Sequence, residues 1–231
     1  MQFHQRKKMS KEKCSAIVFC DFDGTITSCE TFVGVLKQFS PVLANELIPK
    51  ILAKEITLRQ GVRQIVEAIP SSSYPDELLE FVQDKPIRPG LSSFLDYLDS
   101  RHIPFVVISG GLRCLVESVL KRENLYERCA KIYAIDIDQT NERLKVISEW
   151  ESGDELVAKV NVIKHVCQNK EKVIMIGDSI TDLNASKFAD LVFARDKLCD
   201  YLKEENVEFI EWKDFEDIKT KLQLIEDRFL F

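Results

Sequence analysis

Two spacings alternate along this chain. Short apolar runs rich in β-branched residues, such as Ala16-Ile17-Val18-Phe19-Cys20, end abruptly in acidic residues or glycine. Similar runs recur at 103–108, 173–176, 191–194 and 207–210, with shorter strand-like segments at 130–136 and 144–148 around a polar turn. Continuous rather than alternating hydrophobicity fits strands buried on both faces, as in a parallel sheet. Between these runs the apolar positions recur at helical spacing: Leu91, Phe94, Leu95 and Leu98 in a helix to about Arg101, then helices over 112–121, 154–168 and 196–204 and from Asp214. Strands alternating with helices predict an α/β chain.

One stretch breaks the alternation. Residues 28–88 read as helical throughout: a helix over 29–39 capped by Ser28, a second around Leu43 to Leu52 bent at Pro49, a third capped by Thr57 and carrying Leu58, Val62, Ile65 and Val66, and a fourth over 75–84 opened by Pro75. Ser71-Ser72-Ser73 is a loop signal. An all-helical segment between one strand and the next reads as an insertion. The expected architecture is a three-layer, Rossmann-like parallel-sheet core over 14–27 and 89–231, with a small inserted helical cap over 28–88 and a flexible basic tail over 1–13.

Composition narrows the function classes. The 231 residues, 45% hydrophobic and 30% charged, suit a core domain with one small insertion. The net charge of -6 argues against a general nucleic-acid surface. No apolar run approaches the ~18 residues of a membrane helix, and the tail with Arg6, Lys7, Lys8, Lys11 and Lys13 lacks a hydrophobic signal region. The seven cysteines form no C-x-x-C pair and read as small buried hydrophobes in a reducing, cytoplasmic setting. His4, His102 and His165 are too scattered to support zinc.

The chemistry gathers where apolar runs stop. Asp21 and Asp23 follow the first run, and Gly24 lets the backbone turn so that both carboxylates can lean into one volume. Such a pair calls for a cation or a shared proton, and a hard divalent ion such as Mg²⁺ would take oxygen ligands there. Ile103–Ile108 ends in Ser109-Gly110-Gly111, followed by a helix whose N-terminus suits an anion. The run 173–176 ends in Gly177-Asp178, with Asp182 one helical turn on; these two acids read equally as helix-capping residues. Lys159 lies among apolar neighbours in the helix over 154–168, where a lone lysine commonly reaches for water.

Taken together, Asp-Phe-Asp-Gly-Thr, Ile-Ser-Gly-Gly, a lysine before the last core strands and Gly-Asp-Ser-Ile-Thr-Asp resemble, in order, the motifs of the haloacid dehalogenase superfamily, over nearly the whole chain from Ala16. The resemblance implies Mg²⁺-dependent hydrolysis of a small-molecule phosphate monoester through an aspartyl-phosphate. It implies Asp21 as nucleophile, Asp23 as acid and base, and metal held by Asp21, the Asp23 carbonyl and Asp178. Ser109, Gly110 and Lys159 would bind the phosphoryl group, with Asp182 in support. Glu30 and Arg63 correspond to positions that bind the amino acid in phosphoserine phosphatases, although each also reads as a solvated charge. Ile-Met-Ile-Gly-Asp-Ser-Ile-Thr-Asp and Phe193-Ala194-Arg195-Asp196 look more like the methionine-salvage group acting on 2-hydroxy-3-keto-5-methylthiopentenyl-1-phosphate, and Thr181 and Gly24 depart from the phosphoserine pattern. The cysteine-rich segment some salvage enzymes carry is missing. Phosphoserine hydrolysis is thus the alternative, with a phosphotransferase or mutase, or a non-catalytic phosphate-binding protein, as readings from other classes. A monomer or homodimer, binding neither nucleic acid nor membrane, is expected.

Overall fold

A computed structural model of the chain describes residues 15–229; Cys14, His4 and the basic tail lie outside them. The first apolar run forms β1 (Ala16–Cys20), every residue of it buried. The segment after it folds as four helices: α1 (Thr31–Phe39), α2 (Pro41–Leu52), α3 (Leu58–Val66) and α4 (Asp76–Val82). The remaining elements are α5 (Leu91–Ser100), β2 (Phe105–Leu112), α6 (Arg113–Arg122), β3 (Lys131–Asp138), β4 (Lys145–Ile147), α7 (Lys159–Val166), β5 (Lys172–Gly177), α8 (Leu183–Phe188), β6 (Leu191–Ala194), α9 (Asp196–Glu204), β7 (Ile210–Glu211) and α10 (Phe215–Phe229).

The seven strands form one sheet in the order β4-β3-β2-β1-β5-β6-β7, parallel except for the β3–β4 hairpin. This is the Rossmann-like α/β core with a helical cap. β1 lies at the centre, with Val18 opposite Phe105 on one side and Ile174 on the other. The chain builds outward from β1 to β2 and β3, then returns to lay β5, β6 and β7 on the opposite side. The carboxyl ends of β1 and β5 therefore flank a topological switch point, where open α/β sheets bind ligands.

Several expectations change in detail. Ser109, Gly110 and Gly111 belong to β2 instead of forming a turn after it. β2 resumes pairing with β3 at Leu112, and its register slips between Ile108 and Leu112. The slip leaves these three residues off the regular ladder. The helix expected over 154–168 begins only at Lys159, because Ser152 and Glu155 pair with each other in a tight turn. Ser28 does not cap α1; Glu30 is its N-cap residue and offers no side-chain bond. Thr57 does cap α3, in a reciprocal capping box with Gln60. Of the cysteines, Cys20 and Cys199 are buried, whereas Cys29, Cys114, Cys129 and Cys167 are half-buried.

The helical insertion is tied to the core at several places, among them the Arg122 guanidinium of α6, which donates to the Val82, Gln83 and Lys85 carbonyls at the end of α4. Its linkers pair with each other: Thr27 bridges Ile87, Ser28 N donates to the Pro86 carbonyl at 3.0 Å, and Arg88 N to the Ile26 carbonyl at 2.8 Å. Its far side joins the β3–β4 hairpin. There Ser71 N donates to Glu142 O and Leu144 N to Ile69 O, both at 3.0 Å.

Candidate active site at the switch point

β1 is buried because both sheet faces are covered, and it delivers Asp21 to the switch point with its backbone N–H bonded to the Ile176 carbonyl of β5 at 3.0 Å. The chain then turns at Gly24, whose φ of +78° favours glycine. A Cβ there would stand 2.5 Å from Asp178 Oδ2, so the missing side chain is what admits the β5 carboxylate. Thr25 Oγ1 donates to Asp178 Oδ1 at 2.6 Å and holds it in that cradle.

Lys159 occupies the first position of α7, and its amine turns inward. Nζ donates to Asp21 Oδ1 and, at 2.6 Å, to Asp182 Oδ1. The residue is buried with its two partners, unlike the solvated lysine that its helical setting suggested. Burial alone would lower its pKa, but Asp182 and Asp21 outweigh that and hold the ammonium above its ordinary value. Asp182 Oδ2 accepts from the Asp178 and Ser179 amides at 3.0 and 3.2 Å. Both of its oxygens therefore already have protein donors.

Asp21, Asp178 and Asp182 each offer an oxygen within 4.8 Å of the others. One ammonium faces three buried carboxylates, and the titrations reflect that imbalance. Burial, then the Asp182 charge, pushes Asp21 well up against the pull of Lys159. The same two causes push Asp178 up to about 7, with the Thr25 hydrogen bond opposing. An all-oxygen cluster short of positive charge suits a hard divalent cation. Because Asp182 is committed, Asp21 and Asp178 are the side chains free to hold it.

Asp23 points elsewhere. Its Oδ1 accepts from Thr31 N at 2.7 Å, Phe32 N at 3.2 Å and the Thr31 hydroxyl, which makes it the cap of α1 from eight residues upstream. Burial raises its pKa, and the Thr31 and Phe32 donors oppose the rise. A Cβ on Gly111 would stand 3.1 Å from Asp23 Oδ2 and 3.3 Å from Ser109 Oγ, so these groups meet around that glycine, whereas Gly110 faces open space. Ser109 Oγ itself accepts from Gly111 N at 3.0 Å.

Glu30 is an exposed residue whose carboxyl is only partly desolvated; that desolvation, then the Asp23 charge, raises its pKa. Arg63 is not delivered to it as a free cation. Its guanidinium donates to Glu151 at 2.5 Å, Glu67 at 3.2 Å and the Val146 carbonyl at 3.1 Å, which fastens α3 to the β4 side of the core. Sequence reasoning missed Thr25 and Thr31. Thr25 was visible in the Asp-Gly-Thr string, but nothing local signals Thr31. An open cleft of about 540 Å³ lined by Glu155, Asn161, Asn184, Lys187 and Phe188 includes none of the carboxylates above.

The model of the haloacid dehalogenase-like hydrolase family matches residues 18–187. The chain belongs to that family. The 2-hydroxy-3-keto-5-methylthiopentenyl-1-phosphate phosphatase of Microcystis aeruginosa (strain NIES-843 / IAM M-2473) is 48% identical, covering 91% of this chain and 99% of that protein. The protein of the same name from Bacillus cereus (strain AH820) is 35% identical over 89% and 95%. A substrate-bound phosphoserine phosphatase structure superposes with a TM-score of 0.67 over 91% of this chain and 99% of that one; at 18% identity the likeness speaks to the fold.

Proposed function

We propose that this haloacid dehalogenase-like phosphatase hydrolyses 2-hydroxy-3-keto-5-methylthiopentenyl-1-phosphate, using Mg²⁺ between Asp21 and Asp178. The observation that carries the phosphatase reading is the buried Lys159 ammonium held between Asp21 and Asp182, with Asp178 alongside. The substrate rests on the 48% identity to the Microcystis aeruginosa protein of that name. The cap is assigned to 28–88 and the core to 14–27 and 89–231, consistent with the linker pairing at Thr27 and Ile87. The buried and half-buried cysteines Cys20, Cys29, Cys114, Cys129, Cys167 and Cys199 suit the cytoplasm, where the protein acts as a monomer or homodimer.

An Asp21 oxygen attacks phosphorus as the ester P–O bond breaks, giving an aspartyl-phosphate. Asp23, its pKa raised by burial, donates its proton to the departing oxygen. It then takes a proton from the water that attacks phosphorus, which releases inorganic phosphate and restores Asp21. Ser109 and the Gly110 amide face the phosphoryl oxygens, and Lys159 keeps a fixed positive charge beside them. A divalent ion held by the Asp21 and Asp178 side chains would supply positive charge against the phosphate dianion.

Phosphate release from the salvage ester, phosphoserine and p-nitrophenyl phosphate tests this proposal. The expected result is the highest kcat/KM on the salvage ester and no turnover by Asp21→Asn. Activity surviving in Asp21→Asn removes the covalent mechanism, and a preference for phosphoserine moves the substrate. Isomerisation of a sugar phosphate without net phosphate release would indicate a mutase.

A further inference from the structure

The turn that places the acids is fastened from outside the motifs. Gly24, the residue most able to swing its peptide, is anchored at both ends. Its N–H donates to Thr27 Oγ1 at 3.3 Å. Its carbonyl accepts two hydrogen bonds from one guanidinium, Arg88 Nη2 at 2.7 Å and Nε at 3.2 Å. Arg88 is half-buried and sits where the chain returns from the helical insertion, one residue after the Thr27–Ile87 bridge. Its guanidinium lies 5.7 Å from the Trp212 ring, over which Arg195 also lies at 4.9 Å. Its own N–H donates to the Ile26 carbonyl at 2.8 Å. The side chain is thus held by an aromatic surface and the backbone by the linker.

We propose that Arg88 is a positioning residue for the reaction: its guanidinium locks the Gly24 carbonyl and so fixes the turn that sets Asp23 and, through Thr25, Asp178. The geometry leaves little slack. The Gly24–Thr25 peptide plane that Arg88 grips carries, one atom further on, the residue whose hydroxyl holds Asp178 at 2.6 Å. On the other side of Gly24 is Asp23, whose Oδ1 caps α1. Two donors from a planar fork fix an orientation that a single donor cannot. Without them, glycine's freedom near φ +78° returns to the turn that carries Asp23 and leads into Thr25. The returning linker and the catalytic turn therefore behave as one piece, and Arg88 is the rivet.

The inference rests on the phosphatase reading above, and one assay separates the two. With p-nitrophenyl phosphate and Mg²⁺, wild-type, Arg88→Ala and Arg88→Lys are compared for kcat, KM and Tm, with and without millimolar guanidinium chloride. Misplacing reacting groups by about 1 Å costs about 100-fold, so kcat of Arg88→Ala is expected to fall by about that factor while KM stays within about threefold. Added guanidinium restores part of the loss and ammonium does not; Arg88→Lys retains an intermediate kcat with Tm close to wild-type. A merely structural arginine would lower kcat only in step with Tm and would not respond to guanidinium, and that result overturns the proposal. So does a rise in KM at constant kcat, which would place Arg88 on the substrate, or a wild-type kcat in both variants. If Arg88→Ala does not fold, an unchanged kcat in Arg88→Lys with no guanidinium effect decides against it. A wild-type protein that releases no phosphate removes the phosphatase reading itself, and this inference with it.

Discussion

Replacing Lys159 by methionine keeps the length and apolar stem of the side chain and removes its charge. The ammonium has 2% of its side-chain surface exposed and lies 2.6 Å from Asp182. At that distance and an effective dielectric of about 20, the attraction is about 6 kcal/mol, much of which offsets desolvation. What the variant loses is set by what it leaves behind: Asp21 and Asp182 facing each other in a dry site. Breaking a buried pair in this way costs about 3–5 kcal/mol, which for a chain of this size lowers Tm by about 6–20 °C. Asp182→Asn alone leaves the Lys159 ammonium with Asp21 and Asp178 as its remaining acids and keeps an oxygen for the Asp178 and Ser179 amides. The double variant removes one charge of each sign, so its cost should fall short of the summed single costs by about 1–3 kcal/mol. Urea unfolding of all four proteins in chelator gives the cycle directly. Additivity within about 0.5 kcal/mol would show that the two groups are not energetically coupled, and the electrostatic account of the site would be wrong.

Three further outcomes follow from the same geometry. Gly24→Ala adds a Cβ 2.5 Å from Asp178 Oδ2 in a left-handed conformation costing about 1–2 kcal/mol; activity should disappear while scanning fluorimetry shows a Tm lower by only about 2–8 °C, and retained activity would mean that Asp178 need not sit where it does. Asp178 is pushed up to about 7 by burial and then by Asp182, so between its ordinary carboxylate value and that figure the folded protein binds more protons than the unfolded chain. Metal-stripped protein should therefore lose stability as pH rises from about 4 to 7, and saturating Mg²⁺ should flatten the loss; melting scans showing the reverse slope would contradict it. Arg63→Ala should change KM equally for p-nitrophenyl phosphate and the physiological ester, because its guanidinium is taken up by Glu151 and Glu67; a selective rise on the ester would mean that the arginine turns to the ligand.

How much of this was legible beforehand depends on the range of the interaction. Ala16–Cys20 could be read as a central strand because burial on both faces leaves no room for polar alternation. Thr57 could be read as a cap because its partner, Gln60, is three residues away. The carboxylate cluster was visible as three strand ends bearing acids or serine, given a parallel sheet. Lys159 was placed within a longer helix, since the apolar spacing runs on through Leu156; the Ser152–Glu155 turn that shortens it is a local backbone choice with no hydrophobic signature. Ser109-Gly110-Gly111 looked like a turn because glycines punctuate, yet pairing with β3 carried the strand past them. Arg63 and Arg88 could not be told from solvated charges. Their partners, Glu151 and the Gly24 carbonyl, are 88 and 64 positions away.

The same long-range character bears on which esters the site can take. Asp23, the proposed acid, has Oδ1 bound to the first amides of α1 and the Thr31 hydroxyl, while Oδ2 lies on the side of Gly111 and Ser109. One carboxylate thus joins the helical insertion to the phosphoryl side of the core. The two demands on it are linked, because the donors that set its orientation belong to the helical insertion. A leaving group bulky enough to hold α1 away would leave Asp23 solvated and free to rotate even with Asp21 within reach of phosphorus. Solvation also removes the burial that raises its pKa, and with it the bias toward the protonated form that a departing oxygen needs. The size of a leaving group therefore bears on the acid directly, through the α1 donors that hold Asp23 in place.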